Sequence, residues 1–192
     1  MKIGLYFGSF NPIHLGHLIV ANQALSQSDL QQIWFVVSPQ NPFKQEHSLL
    51  NEYHRLHLVQ LAVEDNPQFR ASDMEFKLPK PSYTADTLVY LAEKYPAHEF
   101  TLLMGSDGFQ NLPKWKNAQW LMENHSIMVY QRPGFPLPEN AGNLHKKLVV
   151  LDAPFLSISA TFIRQNIQAG KSIRYLLPDA VREYIEANRY YL

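Results

Sequence analysis

The chain has 192 residues, in which 17 lysines and arginines balance 17 aspartates and glutamates, so its formal net charge is zero at pH 7 with neutral histidines. A balanced charge provides no overall field that would draw the protein to nucleic acid or to a membrane surface, so any phosphate chemistry must be local. The absence of cysteine excludes disulfides, thiolate catalysis and cysteine metal sites. The length fits one domain, and we expect a single domain over residues 1–192.

The apolar runs in the chain are short. None approaches the ~20 residues that a membrane-spanning helix needs, and the run from Met1 to Phe7 is too short for the core of a secretion signal. A chain without cysteine is also compatible with a reducing compartment. We therefore expect a cytoplasmic protein without a nucleic-acid or membrane partner, and the sequence leaves open whether it forms a homo-oligomer.

Short apolar runs alternate with longer segments of helical period, a pattern typical of a parallel sheet covered by helices. In chain order, strands are predicted for Lys2 to Phe7, Ile33 to Ser38, Phe69 to Ala71, Phe100 to Met104, Ile127 to Tyr130 and Leu148 to Leu151. Helices are predicted for Leu15 to Gln27, Leu49 to Glu64, Thr84 to Glu93, Thr161 to Ala169 and Asp179 to Asn188. We therefore expect an α/β fold, a Rossmann-like parallel sheet with helices on both faces and two further helices at the C-terminal end.

The segment GSFNPIHLGH, from Gly8 to His17, brings two histidines to the point where the first strand gives way to the first helix. Gly8 gives the turn its conformational freedom, and the free N–H groups of a helix that begins near Leu15 favour an anion. His14 and His17 are three residues apart, so they lie on one side of the first helical turn. A lone histidine is more often structural, and a zinc site would need a third ligand and usually a glutamate after the first histidine. The segment as a whole therefore indicates a phosphate site.

A second candidate phosphate site is the segment ISATFIR near the other end of the chain. Its hydroxyl residues, Ser159 and Thr161, precede a helix at the spacing of an N-cap, and Arg164 lies one turn inside that helix. By itself the segment also fits an ordinary helix cap. Two helix N-termini that follow strands could, however, hold the two ends of one triphosphate. The triplet Gly-Lys-Ser at 170–172 lacks the earlier glycine of a P-loop and fits a helix C-cap instead.

Both segments closely resemble the signature motifs of the nucleotidyltransferase superfamily, [HT]-x-G-H and Ile-Ser-Ser-Thr-x-x-Arg. Over essentially its whole length, the chain is similar to one branch, the bacterial nicotinate mononucleotide adenylyltransferases. Four further segments carry the likeness: SPQNPFK at 38–44, PSYTADTL at 81–88, GSD at 105–107 with LPKWK at 112–116, and RPG at 132–134. The chain departs from the family pattern at Phe43, which replaces a histidine, and at Ala160, which replaces a serine.

The resemblance implies a single nucleotidyltransferase domain that transfers adenylyl from ATP to nicotinate mononucleotide, giving nicotinate adenine dinucleotide and pyrophosphate in NAD biosynthesis. It implies catalytic roles for His14, His17 and Arg164. It implies ATP or phosphate binding by Gly8, Ser9, Phe10, Lys44, Ser159, Thr161, Gly105 and Asp107, and binding of the nicotinate nucleotide by Thr84, Trp115, Lys116 and Arg132. Mg²⁺ is expected as the cofactor, bound mainly through the ATP phosphates, and no metal-ligating side chain is assigned.

The chemistry of this acceptor fits direct in-line attack. A phosphate monoester has a second pKa of about 6, so it is already a dianionic nucleophile at neutral pH and needs no general base. The reaction then depends on placing two repelling anions in line and on neutralising the charge of the leaving pyrophosphate.

Alternative interpretations remain open at this stage. Thr84 could cap its helix, Trp115 could cover apolar surface and Lys44 could be an ordinary loop lysine. A sister adenylyltransferase could act on nicotinamide mononucleotide or phosphopantetheine, although the segments around Thr84 and Trp115 disfavour this. A non-catalytic ATP-binding sensor is a further alternative, for which Phe43 and Ala160 leave an opening.

Overall fold

A computed structural model describes residues 1–40, 49–138, 141, 147–154 and 156–192 of the chain. Its centre is a parallel sheet of six strands in the order β3-β2-β1-β4-β5-β6. The strands are β1 (Lys2–Gly8), β2 (Gln32–Val37), β3 (Phe69–Ser72), β4 (Glu99–Gly105), β5 (Ser126–Tyr130) and β6 (Leu148–Leu151).

The strand order reverses direction between β1 and β4, which are neighbours in the sheet. Open parallel sheets bind ligands at such a switch point, in the crevice beyond the carboxyl ends of the strands. In this chain those ends are Gly8 of β1 and Gly105 of β4. The topology therefore directs attention to the loops that follow these two glycines.

The described helices are α1 (Leu15–Ser26), α2 (Glu52–Val63), α3 (Thr84–Lys94), α4 (Ser106–Asn111), α5 (Ala118–Asn124), α6 (Ala160–Gln168) and α7 (Asp179–Ala187). Two short 3-10 segments, Met74–Lys77 and Leu112–Lys114, lie before α3 and after α4. None of the described helices is long and apolar enough to cross a membrane.

Both faces of the sheet are buried, because successive side chains of a strand point to opposite faces. Phe35 and Val37 of β2 pack on one face in a core shared with α1, α2, α6 and α7. Trp34 and Val36 of the same strand pack on the other face, with α3 and α5. Full burial of one such side chain is worth roughly 1.5–3 kcal/mol. The sheet therefore forms a firm base for the loops at its carboxyl edge.

The predicted fold class is confirmed, since the sheet is parallel and helices cover both of its faces. All six predicted strands are present, with ends that differ by no more than one residue. Gly170 caps α6 at a φ of +65°, as predicted. The single domain over residues 1–192 stays a prediction.

Two differences concern helices. The helix predicted from Leu49 begins at Glu52, because the Asn51 side chain accepts the N–H of Tyr53 at 2.9 Å and so caps the first turn. Helices α4 and α5 were not predicted. They have six and seven residues, too few for a hydrophobic period to show, and Pro113 stands between them.

Candidate active site

A cavity of about 300 Å³ opens at the carboxyl ends of β1 and β4. Its walls come from distant parts of the chain, namely the loop after β1, the start of α4, the end of β5 and the start of α6. The predicted site residues that line it are Gly8, Ser9, Phe10, His14, His17, Gly105, Asp107, Arg132, Ser159, Thr161 and Arg164. Both predicted phosphate segments therefore face one space.

The two histidines of the first segment form a stacked pair. Their ring centroids are 3.7 Å apart with an interplanar angle of 26°. The backbone N–H of His14 donates to Nδ1 of His17 at 3.2 Å, which fixes the second ring at the start of α1. A Cβ at Gly16 would lie only 3.0 Å from the His14 ring, so glycine gives that ring its room.

The charge state of His14 follows from its surroundings. The residue is 6% exposed, and burial lowers its pKa to about 4, with the nearby positive charge of Arg132 acting in the same direction. His14 is therefore a neutral imidazole at pH 7 in the free protein. An anion in the cavity would oppose both causes and raise this pKa.

Arg164 joins the second segment to the first. Its Nη1 donates to the carbonyl oxygen of Asn11 at 2.8 Å, and its Nη2 lies 3.4 Å from the hydroxyl oxygen of Thr161. Ser159 is the N-cap of α6, and its hydroxyl accepts the N–H of Phe162 at 3.2 Å. The N-terminus of α6 is thus attached to the loop after β1.

Arg132 and Asp107 form an ion pair across the same cavity, with Nη1 2.8 Å from Oδ2. The backbone N–H of Arg132 donates to the Ser106 hydroxyl at 2.9 Å, which anchors the chain after β5. A Cβ at Gly105 would lie 2.4 Å from the Asp107 carboxylate, so only glycine permits this close arrangement. Arg132, which was predicted to bind the nicotinate nucleotide, lies in this first cavity.

A second cavity of about 140 Å³ adjoins the first and shares Phe7 and Gly8 with it. Three of the residues predicted to bind the nicotinate nucleotide line it together, namely Thr84, Trp115 and Lys116. Tyr83 is the N-cap of α3, and its side chain makes no capping hydrogen bond. Thr84 is therefore the first residue of the helix and not its cap. Within the described residues, the N-terminus of α3 therefore offers N–H groups without a side-chain cap at this cavity.

Lys116 is held at the rim of the second cavity. Its Nζ lies 2.8 and 3.1 Å from the two carboxylate oxygens of Asp86. It also lies 4.9 Å from the centroid of the Tyr83 ring, a cation–π distance. These contacts fix the Lys116 ammonium, as an ion pair with Asp86, beside the start of α3.

Comparison with known proteins agrees with this geometry. A family model described as Cytidylyltransferase-like matches residues 5–166. A probable nicotinate-nucleotide adenylyltransferase of Flavobacterium psychrophilum is 51% identical over 191 residues, which cover 100% of this chain and 99% of the relative. One of Flavobacterium johnsoniae is 53% identical over 192 residues, with the same coverage. The chain belongs to the nicotinate-nucleotide adenylyltransferase family.

The fold has a solved counterpart as well. The structure of Plasmodium falciparum nicotinic acid mononucleotide adenylyltransferase complexed with NaAD matches with a TM-score of 0.85, over 99% of this chain and 97% of that one. The sequences are 22% identical, so this likeness concerns the fold alone. Together with the relatives, it confirms that the chain has the nucleotidyltransferase fold.

Two buried charged residues next to the cavities were not predicted. Arg55 of α2 is 0% exposed, and its guanidinium donates to the carbonyl oxygens of Ser9 at 2.5 Å, Ser38 at 2.8 Å and Pro39 at 3.0 Å. It thereby joins the loop after β1 to the loop after β2. The available signal was an arginine in the same helical stripe as Leu58 and the other buried residues of α2.

Glu75 is the other such residue, 2% exposed and part of the second cavity. The Ser82 hydroxyl donates to its carboxylate at 2.8 Å and the Thr87 hydroxyl at 3.0 Å. Burial raises the pKa of this carboxyl, and the hydroxyl donors offset part of that rise. Glu75 therefore connects the first 3-10 segment to the start of α3. No local sequence pattern predicts these hydrogen bonds. Lys44 and Phe43 lie outside the described residues.

Proposed function

We propose that the protein transfers the adenylyl group of ATP to nicotinate mononucleotide, forming nicotinate adenine dinucleotide and releasing pyrophosphate. The observation that carries this proposal is the meeting of the α1 and α6 N-termini at one cavity, which adjoins a second cavity through Phe7 and Gly8. Two adjoining cavities leave room for two nucleotides whose phosphates meet between them. The family of the chain supports the same reaction.

The first cavity would take the polyphosphate of ATP. His14 and His17 lie at the positive end of α1, where they would bind the phosphate at the reacting centre together with the backbone of Gly8, Ser9 and Phe10. Across the cavity, the outgoing β and γ phosphates would be held by the hydroxyls of Ser159 and Thr161 and by the guanidinium of Arg164. Arginine suits this role because its guanidinium binds phosphate oxygens in a fixed fork.

The reaction would proceed by direct in-line attack. A phosphate oxygen of nicotinate mononucleotide forms a bond to the α-phosphorus, while the bond from that phosphorus to the bridging oxygen breaks and pyrophosphate leaves with the electron pair. The acceptor is dianionic at neutral pH, since its second pKa is about 6, and no side chain needs to remove a proton. The protein contributes position and charge neutralisation.

The second cavity would take the nicotinate ring. Trp115 offers an aromatic face for stacking, and the uncapped N–H groups at Thr84 favour a negative ligand. Lys116 adds a positive charge at the rim. These groups would bind a carboxylate better than a carboxamide, because the amide carries no charge and brings two hydrogen-bond donors of its own.

Arg132 and Asp107 would serve the nucleotide of the first cavity. Their ion pair lines the wall that faces the histidines. Arg132 would then meet phosphate and Asp107 a ribose hydroxyl or a metal-bound water. We propose this role for Arg132 in place of the nicotinate-nucleotide contact that the resemblance implies.

Mg²⁺ is proposed as the cofactor. Among the described residues, no group of three or more histidines, aspartates or glutamates is placed to hold a metal ion. Asp107, an acid of the first cavity, is already paired with Arg132. The cation would therefore be bound mainly by ATP oxygens, where it would neutralise charge on the leaving pyrophosphate. We propose Lys44 as a further phosphate contact. We also propose that the reaction takes place in the cytoplasm.

Pyrophosphate release tests the proposal. The purified protein is incubated with ATP and Mg²⁺ together with nicotinate mononucleotide, nicotinamide mononucleotide or phosphopantetheine. We expect release with the first acceptor, and a lower kcat/KM with its amide. Higher kcat/KM with either other acceptor would point to a sister enzyme, and ATP binding without turnover would point to a sensor.

A further inference from the structure

Two tyrosine hydroxyls meet beneath the first cavity. The hydroxyl of Tyr6 on β1 donates to the hydroxyl of Tyr130 at the end of β5, at 3.2 Å. Strand β4 separates these two strands in the sheet, and Gly105 of β4 is the register partner of Tyr130. A Cβ at Gly105 would lie 3.2 Å from Cζ of Tyr130, so the absent side chain gives the tyrosine ring its room.

The hydrogen bonds of this pair leave one donor over. Each phenol carries one proton, and one bond between two hydroxyls uses only one of the two protons whichever way it runs. Within the described part of the chain, the Tyr130 hydroxyl has no acceptor for its own proton. Tyr130 is half-buried and lines the first cavity, so its unused proton is available to an acceptor on a ligand bound there.

The position of Tyr130 identifies that acceptor. Tyr130 lines the first cavity and also a smaller neighbouring space of about 50 Å³, and His14, His17 and Arg132 line both as well. Tyr6 is 5% exposed, and its ring contacts the edge of the His17 ring at a centroid distance of 5.8 Å. The unused proton therefore lies beside the groups assigned to the reacting phosphate. Phosphate oxygens are the strongest acceptors that the substrates would bring there.

We infer that the Tyr130 hydroxyl is a further catalytic group, which donates a hydrogen bond to a non-bridging oxygen of the phosphoryl group in transfer, and that Tyr6 positions it. This inference rests on the proposed adenylyl transfer. No proton changes place in the step: the new P–O bond forms, the bond to pyrophosphate breaks, and Tyr130 keeps its hydrogen throughout. A donor fixed in advance stabilises the charge that gathers on the equatorial oxygens of the transition state.

The contribution of the two tyrosines should not depend on pH within the range in which the enzyme is assayed. Burial raises the pKa of both phenols, so both stay protonated through the neutral and mildly alkaline range. The loss of Tyr130 should therefore lower turnover by the same factor across that range. A purely structural defect would instead appear in thermal stability.

Steady-state kinetics of Tyr130→Phe, Tyr6→Phe and the double variant test the inference, with Tyr95→Phe as the matched control. Tyr95 is also half-buried, but it follows α3 and stacks on His98, 5.4 Å between ring centroids, away from both cavities. The wild-type protein is assayed first with ATP and nicotinate mononucleotide. If it does not turn over, the proposed function fails and the inference about Tyr130 fails with it. If it does turn over, the variants decide the inference alone.

With an active wild type, we expect Tyr130→Phe to lower kcat by about 10- to 100-fold, the range for a lost hydrogen bond to a charged group. Both KM values should change little, and the factor should be constant with pH. Tyr6→Phe should cost less, and the double variant no more than Tyr130→Phe, because Tyr6 acts through Tyr130. Tyr95→Phe should match the wild type.

Several results would overturn the inference. Unchanged kcat in Tyr130→Phe would do so, as would a loss confined to KM or equal losses in the control. Melting temperatures are measured alongside. If Tyr130→Phe does not fold, Tyr6→Phe decides: a lower kcat with unchanged KM supports the hydroxyl pair, and wild-type kinetics refute it.

Discussion

The guanidinium of Arg164 donates a hydrogen bond of 2.8 Å to the carbonyl oxygen of Asn11, a residue 153 positions earlier in the chain. The contact joins the start of α6 to the loop that carries the histidine pair. The contact thereby holds the groups proposed for the two ends of one polyphosphate in a fixed relation. Such preorganisation spares the site a rearrangement when charge develops in the transition state.

Arg164→Lys should separate charge from geometry. A lysine keeps the positive charge but cannot bind phosphate in a fork while also donating to Asn11. We expect kcat/KM for ATP to fall by about 10²- to 10³-fold, the loss seen when a transition-state donor is removed. Arg174→Lys, at an exposed arginine whose guanidinium lies over the Tyr175 ring, serves as the control and should keep wild-type kinetics. Equal behaviour of the two variants would contradict the role of Arg164.

His17→Ala should lower turnover by about 10² or more, since it removes one of the contacts proposed for the reacting phosphate. Circular dichroism and the melting temperature confirm that the variant folds, and single-turnover kinetics measure the chemical step. Near-normal activity in a folded His17→Ala protein would remove this residue from the catalytic group.

The pKa of His14 predicts a specific pH dependence of stability. The folded protein lowers this pKa to about 4 from 6.5, so between these pH values the unfolded chain binds more protons than the folded one. The stabilising contribution is present above pH 6.5 and is lost as the pH falls towards 4. Relative to wild type, His14→Gln should gain about 1.5 kcal/mol in the free energy of unfolding as the pH falls from 6.5 to about 5. Urea titrations measure this difference, and parallel stability curves for the two proteins would show that His14 titrates normally.

Trp115→Ala should chiefly raise the KM of the acceptor, because the aromatic face lies in the second cavity. Stacking of a base on an aromatic side chain is worth about 1–3 kcal/mol, so we expect an increase of about tenfold or more. The control is Trp120→Ala, which removes an exposed tryptophan of α5 that packs on His125. If only the KM for ATP rises in Trp115→Ala, the tryptophan contacts ATP and not the nicotinate ring of the acceptor.

The sheet was predictable from the sequence because most of its strands are apolar on both faces and short apolar runs alternate with segments of helical period. The proximity of His14 and His17 was also predictable, because residues three apart lie on one side of a helical turn. The proximity of Arg164 to the histidine loop could be predicted only from the family motifs. Nothing in the local sequence indicates that α6 reaches the loop after β1.

The remaining features depend on contacts between distant segments. The spacing of Arg55 within the apolar stripe of α2 indicates burial, but its partners, the carbonyl oxygens of two loops, come from distant segments. The Tyr6–Tyr130 pair forms across β4 of the folded sheet, and the hydroxyl partners of Glu75 lie at and before the start of α3, 7 and 12 residues further along the chain. Arg132 was associated with the nicotinate nucleotide through its motif, whereas its ion pair with Asp107 turns it towards the first cavity.

The most direct measurement is a crystal structure with a non-hydrolysable ATP analogue and nicotinate mononucleotide bound together. We expect one triphosphate in contact with His17 at one end and Arg164 at the other, with the acceptor phosphate in line beside it. A triphosphate that touches only one of these residues, or that lies outside the cavity between α1 and α6, would contradict it.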